Sequence, residues 1–202
     1  MIVLTVDQVD SRHRADRVES AVRDLAERHG PRLVAAPERT AGDEFQLATR
    51  DASAALEIAL DLVRQDEWSV GLGIGDVQTP LGSSVRALAG SAFVNARDAV
   101  TAAKKRPVRF ALVADDADET ARLDPLVRLL LALRERRTPE GWELAELLDA
   151  DPGLTLTDAA GRLGISTQAA SQRAQTAGLR LDREARDALG SMLAAADARI
   201  GG

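Results

Sequence analysis

The most constraining feature of this sequence is the alternation of β-rich runs with amphipathic segments over its first 115 residues. Apolar residues recur at helical spacing over 14–29, 52–65 and 91–105. The runs between them predict five strands, at 2–6, 32–36, 44–49, 68–77 and 107–114. This order predicts a ferredoxin-like sheet with its helices on one face, in which the first two strands are parallel and the third lies between them.

The β-rich character ends near residue 117. Asp124-Pro125 is typical of a helix start, with an N-cap followed by proline at the first helical position. Further helices are predicted at 139–149, 157–163, 167–177 and 182–199. We therefore predict an α+β protein with a sheet domain over 1–117 and an all-helical domain over 118–202.

Composition excludes several classes of protein. Hydrophobic residues make up 45% of the 202 residues and charged residues 29%, which is typical of a globular chain and not of a disordered one. No apolar stretch approaches a membrane span, and the N-terminus lacks a basic leader, so we expect a cytoplasmic protein with no membrane partner. The absence of cysteine excludes disulfides and thiolate metal sites, and two histidines cannot form a multi-histidine site.

The segment 154–178 has the spacing of two short helices that cross at a tight turn. Thr157 is suited to cap the first helix, Gly164 to occupy a left-handed turn position and Ser166 to cap the second helix. This pattern resembles the helix-turn-helix motif of bacterial regulators, which implies double-stranded DNA as a partner. The residues expected to face DNA are Ser166, Thr167, Gln168, Ser171, Gln172, Arg173 and Gln175.

Charge is compatible with this interpretation but does not demand it. Residues 122–202 carry 11 arginines and 12 acidic residues, yet the stretch 159–180 contains three arginines and no acid. The alternative is a helical hairpin that only packs or that serves dimerisation. The last helix leaves a similar choice open, because its apolar stripe suits either packing onto the helical core or a homodimer seam. That stripe consists of Leu181, Ala185, Ala188, Leu189, Met192, Ala196 and Ile200.

Four motifs occur in a fixed order in the first half of the chain. They are VDQVDSR at 6–12, AGDEF at 41–45, VGLGIGDV at 70–77 and GSAFVNARDA at 90–99. Their order and spacing resemble class III nucleotidyl cyclases and GGDEF domains. Together with the helix-turn-helix pattern, the chain resembles the SatD family of bacterial proteins over nearly its whole length.

The resemblance implies a ligand site at one edge of the sheet. It implies Mg²⁺ held by Asp7, Asp43 and Glu44, with the metal in turn binding a purine nucleotide. The nucleotide-binding residues that it implies are Asp7, Asp10, Ser11, Asp43, Asn95 and Arg97. The alternative is that Asp7 caps the following helix and Asp43 completes a tight turn.

Catalysis is disfavoured by two departures from the cyclase pattern. Cyclases of this class use an Asn and an Arg one helical turn apart, but Ala99 stands four residues after Asn95, and Arg97 lies about 200° around the helix. GGDEF enzymes need a glycine where Ala41 stands. We therefore expect a DNA-binding regulator whose first domain senses a purine nucleotide or mediates dimerisation. The alternatives are an active nucleotidyl cyclase or nucleotidyltransferase with a regulatory helical tail, and a dimeric scaffold without a ligand.

Overall fold

The computed structural model describes residues 1–78 and 84–200, which form an α+β fold of five strands and eight helices. The elements are β1 (Ile2–Gln8), α1 (Val18–His29), β2 (Leu33–Ala41), β3 (Glu44–Thr49), α2 (Ala52–Arg64), β4 (Trp68–Ile74), α3 (Ser91–Ala103), β5 (Phe110–Ala114), α4 (Ala117–Glu135), α5 (Pro139–Ala150), α6 (Leu156–Arg162), α7 (Thr167–Thr176) and α8 (Leu179–Ile200). Within these residues, none of the helices combines the length and apolar character that crossing a bilayer requires.

The five strands form one mixed sheet in the order β2-β3-β1-β4-β5. β1 is antiparallel to both β3 and β4, and β2 is antiparallel to β3. β1 and β2 are therefore parallel with β3 between them, as the order of elements predicted. β4 and β5 pair in parallel. This topology places the end of β1 beside the β2–β3 turn, where Asp7 is paired with Glu44 and the backbone N–H of Gln8 donates to Asp43 O at 3.1 Å.

The prediction that the helices share one face of the sheet is wrong for α3. Val3 on β1 clusters with Ala92 and Ala96 of α3, so α3 covers the odd-numbered face of β1. The even-numbered side chains Ile2, Leu4 and Val6 of β1 are fully buried on the opposite face, and α2 contacts β1, β3 and β4. A Cβ added to Gly71 or Gly73 would overlap the backbone of α3. The two glycines thus let a helix approach β4 more closely than any side chain would allow.

The starts of α1, α4 and α8 differ from their predicted positions, and α8 begins at Leu179 and not at 182. α1 begins at Val18 and not near 14, because the Gln8 side chain holds the preceding segment: its Nε2 donates to Ala15 O at 2.7 Å and its Oε1 accepts from Arg17 N at 3.0 Å. α4 begins at Ala117 and runs through Pro125.

Asp124-Pro125 is therefore not a helix start. Asp124 is buried and accepts from the backbone N–H of Leu112 at 2.9 Å and from Arg106 at 2.7 Å. Its carboxylate serves the sheet and not a helix terminus, and Asp116 accepts from Asp118 N in the first turn of α4.

The chain forms two compact units. One comprises Met1–Leu131 together with the last part of the chain from Asp187, and the other is Ala132–Arg186. α4 begins at Ala117, where the domain boundary was predicted. The helix continues past Leu131, however, so the boundary between the two units falls within it. In the first unit Leu189 and Ala196 of the predicted apolar stripe are buried, so these two residues are used for packing, and Leu193, which was not predicted to belong to the stripe, is buried as well. Leu181, in the second unit, is 59% exposed.

Candidate nucleic-acid interface and acidic edge

In the unit Ala132–Arg186, α6 and α7 are joined by the four residues 163–166. Gly164 adopts a φ of +65°, and Ser166 caps α7 by accepting from Ala169 N at 3.1 Å, both as predicted. α6 is capped by Thr155, which accepts from Asp158 N at 3.1 Å, and not by Thr157. The helix begins at Leu156, so Thr157 already lies within its first turn.

The outward face of α7 is polar and exposed. Ala170 is fully buried, which fixes the face that α7 turns toward its own unit. The side chains left at the surface are those of Ser166, Thr167, Gln168, Ser171, Gln172 and Gln175. α7 contains no acidic residue. The structure therefore leaves six of the seven predicted DNA-facing residues exposed, and Arg173 is the exception.

Arg173 is less exposed than the acid-free stretch around it predicted, and its guanidinium has a carboxylate partner. Its side chain is 29% exposed, and Nη1 lies 3.4 Å from Oε2 of Glu143 on α5. The other two arginines of the acid-free stretch are also paired, Arg162 with Asp151 at 3.2 Å and Arg180 with Glu184 at 2.8 Å. The stretch lacks acids along the chain, but the fold supplies a carboxylate to each of its arginines.

A buried charge cluster, which was not predicted from the sequence, holds the end of α7. Asp182 is 3% exposed, and its Oδ1 lies 3.2 Å from Nη2 of Arg137 while its Oδ2 lies 3.0 Å from Nε of Arg186. Nε of Arg137 donates to Ala177 O at 3.1 Å, and its guanidinium stacks 4.4 Å from the centre of the Trp142 ring. The cluster thus ties the residue that follows α7 to α5 and α8.

The three predicted metal ligands converge at the end of β1, the acidic edge formed by Asp7, Asp43 and Glu44. The Nζ of Lys104 lies 2.6 Å from Oδ2 of Asp7, and Ser11 Oγ donates to Oδ2 of Asp43 at 2.5 Å. Two of the three carboxylates are therefore already matched to donors from other segments.

Glu44 is matched in the same way. Its Oε1 accepts from Thr40 Oγ1 at 2.7 Å and lies 3.4 Å from Nη2 of Arg97. Among the described residues, no group of three or more His, Asp or Glu side chains is arranged to hold a metal ion. Mg²⁺ binding here remains a prediction.

The environment of Asp7 disfavours its charged form. Burial is the largest cause of its raised pKa, the contact with Lys104 opposes that shift, and the charges of Asp43 and Glu44 add to it. Asp7 does not cap α1, because the N-cap position is Arg17, which makes no side-chain cap hydrogen bond. The interpretation of Asp7 as a helix cap is therefore wrong.

Asp10 lies in the loop after β1 and is a turn residue. Its φ is +54°, and its side chain accepts from His13 at 2.7 Å, which lowers the pKa of Asp10. Aspartate tolerates this left-handed conformation better than most residues. Asp10 and Ser11 thus reach the same end of the sheet as Asp43, as the resemblance implied.

Asn95 and Arg97 point to different places. The Asn95 amide donates to Ile74 O at 2.9 Å and to Oδ1 of Asp115 at 2.7 Å. Ile74 pairs with Ile2, at the opposite end of β1 from Asp7, roughly 17 Å away at the usual rise per residue. The structure therefore does not bring Asn95 to the acidic edge, whereas Arg97 reaches it through Glu44.

A cavity of about 440 Å³ adjoins Arg97 in the first unit. Its walls come from β2, β3, the short turn Val85–Ala87 and α3. Thr40, Gln46 and Arg97 provide polar groups, and Leu88 and Phe93 provide apolar surface. The volume lies in the range of small-molecule sites.

Comparison with known proteins adds no assignment: the chain matches no protein-family model, no curated protein and no solved structure.

Proposed function

We propose that this protein is a cytoplasmic, DNA-binding transcriptional regulator in which α6 and α7 form a helix-turn-helix motif. The observation that carries the proposal is the exposed, acid-free face of α7, with its row of glutamine, serine and threonine side chains. Glutamine pairs with adenine edges and arginine with guanine edges, while serine and threonine reach phosphates. The capped N-terminus of α7 adds backbone N–H groups that favour a phosphate. A homodimer would present two such helices to two half-sites.

The first unit acts in this proposal as a ferredoxin-like, cyclase-related sensor without turnover. Its ligand is a purine nucleotide with Mg²⁺, and Asp7, Asp43 and Glu44 would hold the metal. Arg97 supports this assignment because it touches both Glu44 and the 440 Å³ cavity. Metal binding would free Lys104 and Arg97 from their carboxylates, leaving two cations for phosphate groups.

Gel shifts on duplexes taken from around the protein's own gene test the DNA-binding function. Wild type should bind at moderate salt, and Arg173→Ala should weaken binding by about 1–3 kcal/mol if Arg173 contacts a guanine edge. Arg23→Ala is the matched control, because it removes one arginine from the exposed surface of α1. No binding by wild type to any fragment would overturn the proposal, and equal loss in both variants would reduce Arg173 to a general charge effect.

Thermal unfolding with Mg²⁺ and a panel of purine nucleotides tests the sensor. A ligand that binds the folded state should raise the melting temperature, by mass action. The rise should disappear in Asp43→Asn and persist in Asp24→Asn, which removes an exposed carboxylate of α1. If no nucleotide raises the melting temperature of wild type, the sensor assignment is wrong, while the DNA result stands independently.

A further inference from the structure

The pairing of Arg173 with Glu143 affects how Arg173 contacts DNA, if α7 is the DNA-contacting helix proposed above. The guanidinium makes one 3.4 Å contact with Glu143, which is itself 59% exposed. Arg173 also lies close enough to Glu140 to contribute to lowering the pKa of that carboxyl, after Glu140's own backbone N–H and the Thr138 side chain. Glu143 of α5 is therefore the carboxylate in contact with the one arginine of α7, and Glu140 of the same helix adds a second negative charge in the neighbourhood.

We propose that Glu143 is a specificity-determining residue, which competes with DNA phosphates for Arg173 and so suppresses binding to non-cognate sequences. A single contact to an exposed carboxylate is weak and changes an affinity by roughly 1.4–5-fold. A bidentate contact to guanine discriminates between bases by roughly 5–150-fold, which exceeds that effect. Glu143 therefore releases Arg173 when a guanine is correctly placed, but it keeps Arg173 paired when only a phosphate is within reach.

The pairing of the neighbouring arginines supports this role. The other two arginines of the stretch 159–180 also have carboxylate partners, so each arginine of this stretch is matched by a carboxylate. Binding to random DNA depends almost wholly on cations that are free to contact phosphate, through counterion release. The carboxylate of Glu143 would in addition repel phosphates that approach α7. Glu143 is therefore placed to weaken random binding more than site-specific binding.

Glu143→Gln tests the inference, with Asp149→Asn as its matched control. Asp149 also lies on α5 and is partly exposed, but its partner is Arg186 on α8, at 2.9 Å. The probes are a random-sequence duplex pool and the duplexes that wild type enriches from it. Affinities are measured by fluorescence anisotropy over a series of salt concentrations, and thermal melts establish that both variants remain folded.

Glu143→Gln should raise affinity for the random pool roughly 2–5-fold and affinity for the enriched duplexes by less, so that the ratio between them falls. Its salt dependence on random DNA should steepen by about one unit of slope, since one more cation reaches phosphate. Asp149→Asn should change neither affinity.

The outcomes separate the inference from the function on which it rests. If wild type binds no duplex, both the proposed function and the inference are wrong. If wild type binds duplexes without enriching any sequence, the inference that Glu143 determines specificity is wrong. Glu143→Gln that matches wild type on both probes overturns the inference alone. Equal gains in Glu143→Gln and Asp149→Asn would also overturn it, because net charge and not the partner of Arg173 would then set affinity.

Discussion

The Nζ of Lys104, just after α3, lies 2.6 Å from Oδ2 of Asp7, near the end of β1. The contact joins positions 97 residues apart, and it makes one of only two lysines in the chain the partner of Asp7, whose side chain is only 14% exposed. It offsets only part of the effect of burial, since the pKa of Asp7 remains raised. Ionised Asp7 is therefore a source of folding cost, and the edge is poised to gain from an added cation.

Asp7→Asn should leave the free energy of unfolding near pH 7 unchanged or higher by up to about 1 kcal/mol. A carboxyl with a raised pKa favours folding when protonated, so its cost appears as pH rises from 3.8 through the folded-state pKa. The advantage of Asn should therefore vanish below pH 3.8. Urea unfolding at both pH values measures this.

Lys104→Gln serves as the opposite change. It leaves the part-buried carboxylate of Asp7 without its cation, so unfolding should become easier by about 1 kcal/mol near pH 7. A large loss of stability in Asp7→Asn, with none in Lys104→Gln, would show that Asp7 has a structural role that the ion pair does not explain.

The two histidines should titrate with opposite effects on stability. His29 is 8% exposed, and neither ring nitrogen has a hydrogen-bond partner within the described residues. Burial lowers its pKa first, Arg28 and Arg32 lower it further, and Glu57 and Asp61 oppose them. The neutral form of His29 favours folding. The contribution of His29 to the free energy of unfolding should therefore be complete above pH 6.5 and should be lost as the pH falls toward the folded-state pKa.

His29→Leu should flatten this acid limb in unfolding curves measured from about pH 7 to pH 5. His13 is the comparison, because Asp10 raises its pKa by hydrogen bond and charge, so it favours folding below pH 6.5 and loses that contribution as pH rises. If His29→Leu keeps the wild-type acid limb, another group is responsible for it.

Gly73→Ala should destabilise the first unit by about 3 kcal/mol or prevent its folding. The added methyl would overlap the backbone of Ala92 and Ala96, and a packed helix cannot yield as a side chain can. Gly161→Ala is the contrasting change: it lies in α6 with open space around it and should stabilise by about 0.5–1 kcal/mol. Chemical denaturation of both variants decides, and a tolerated Gly73→Ala would mean that α3 packs less closely on β4.

Incubation with ATP or GTP and Mg²⁺ or Mn²⁺ should yield no cyclic or dinucleotide product. Asn95 is bonded to Ile74 O and Asp115, whereas Arg97 faces Glu44, so the two cannot steady one transition state. Chromatography of the reaction mixture measures this. A product that Asp43→Ala abolishes would establish the enzyme alternative instead.

Local sequence signals determined the parts of the structure that depend on near neighbours. Periodicity and turn chemistry within a few residues predict four of these features. They are the order of strands and helices, the left-handed Gly164, the Ser166 cap and the exposed side of α7. The position of Asp7 beside Glu44 also follows from the order of elements, which restricts how the strands pair.

Only the tertiary structure decided which distant groups pair with each polar side chain. Asp7 pairs with Lys104, Arg173 pairs with Glu143, and Asp124 accepts a hydrogen bond from the sheet backbone. In each case the partner belongs to another element. Periodicity tells which face of a helix is polar, but it does not tell which element lies opposite that face. The free energy of a charge depends on those opposing groups and on burial, and both arise only when the elements pack.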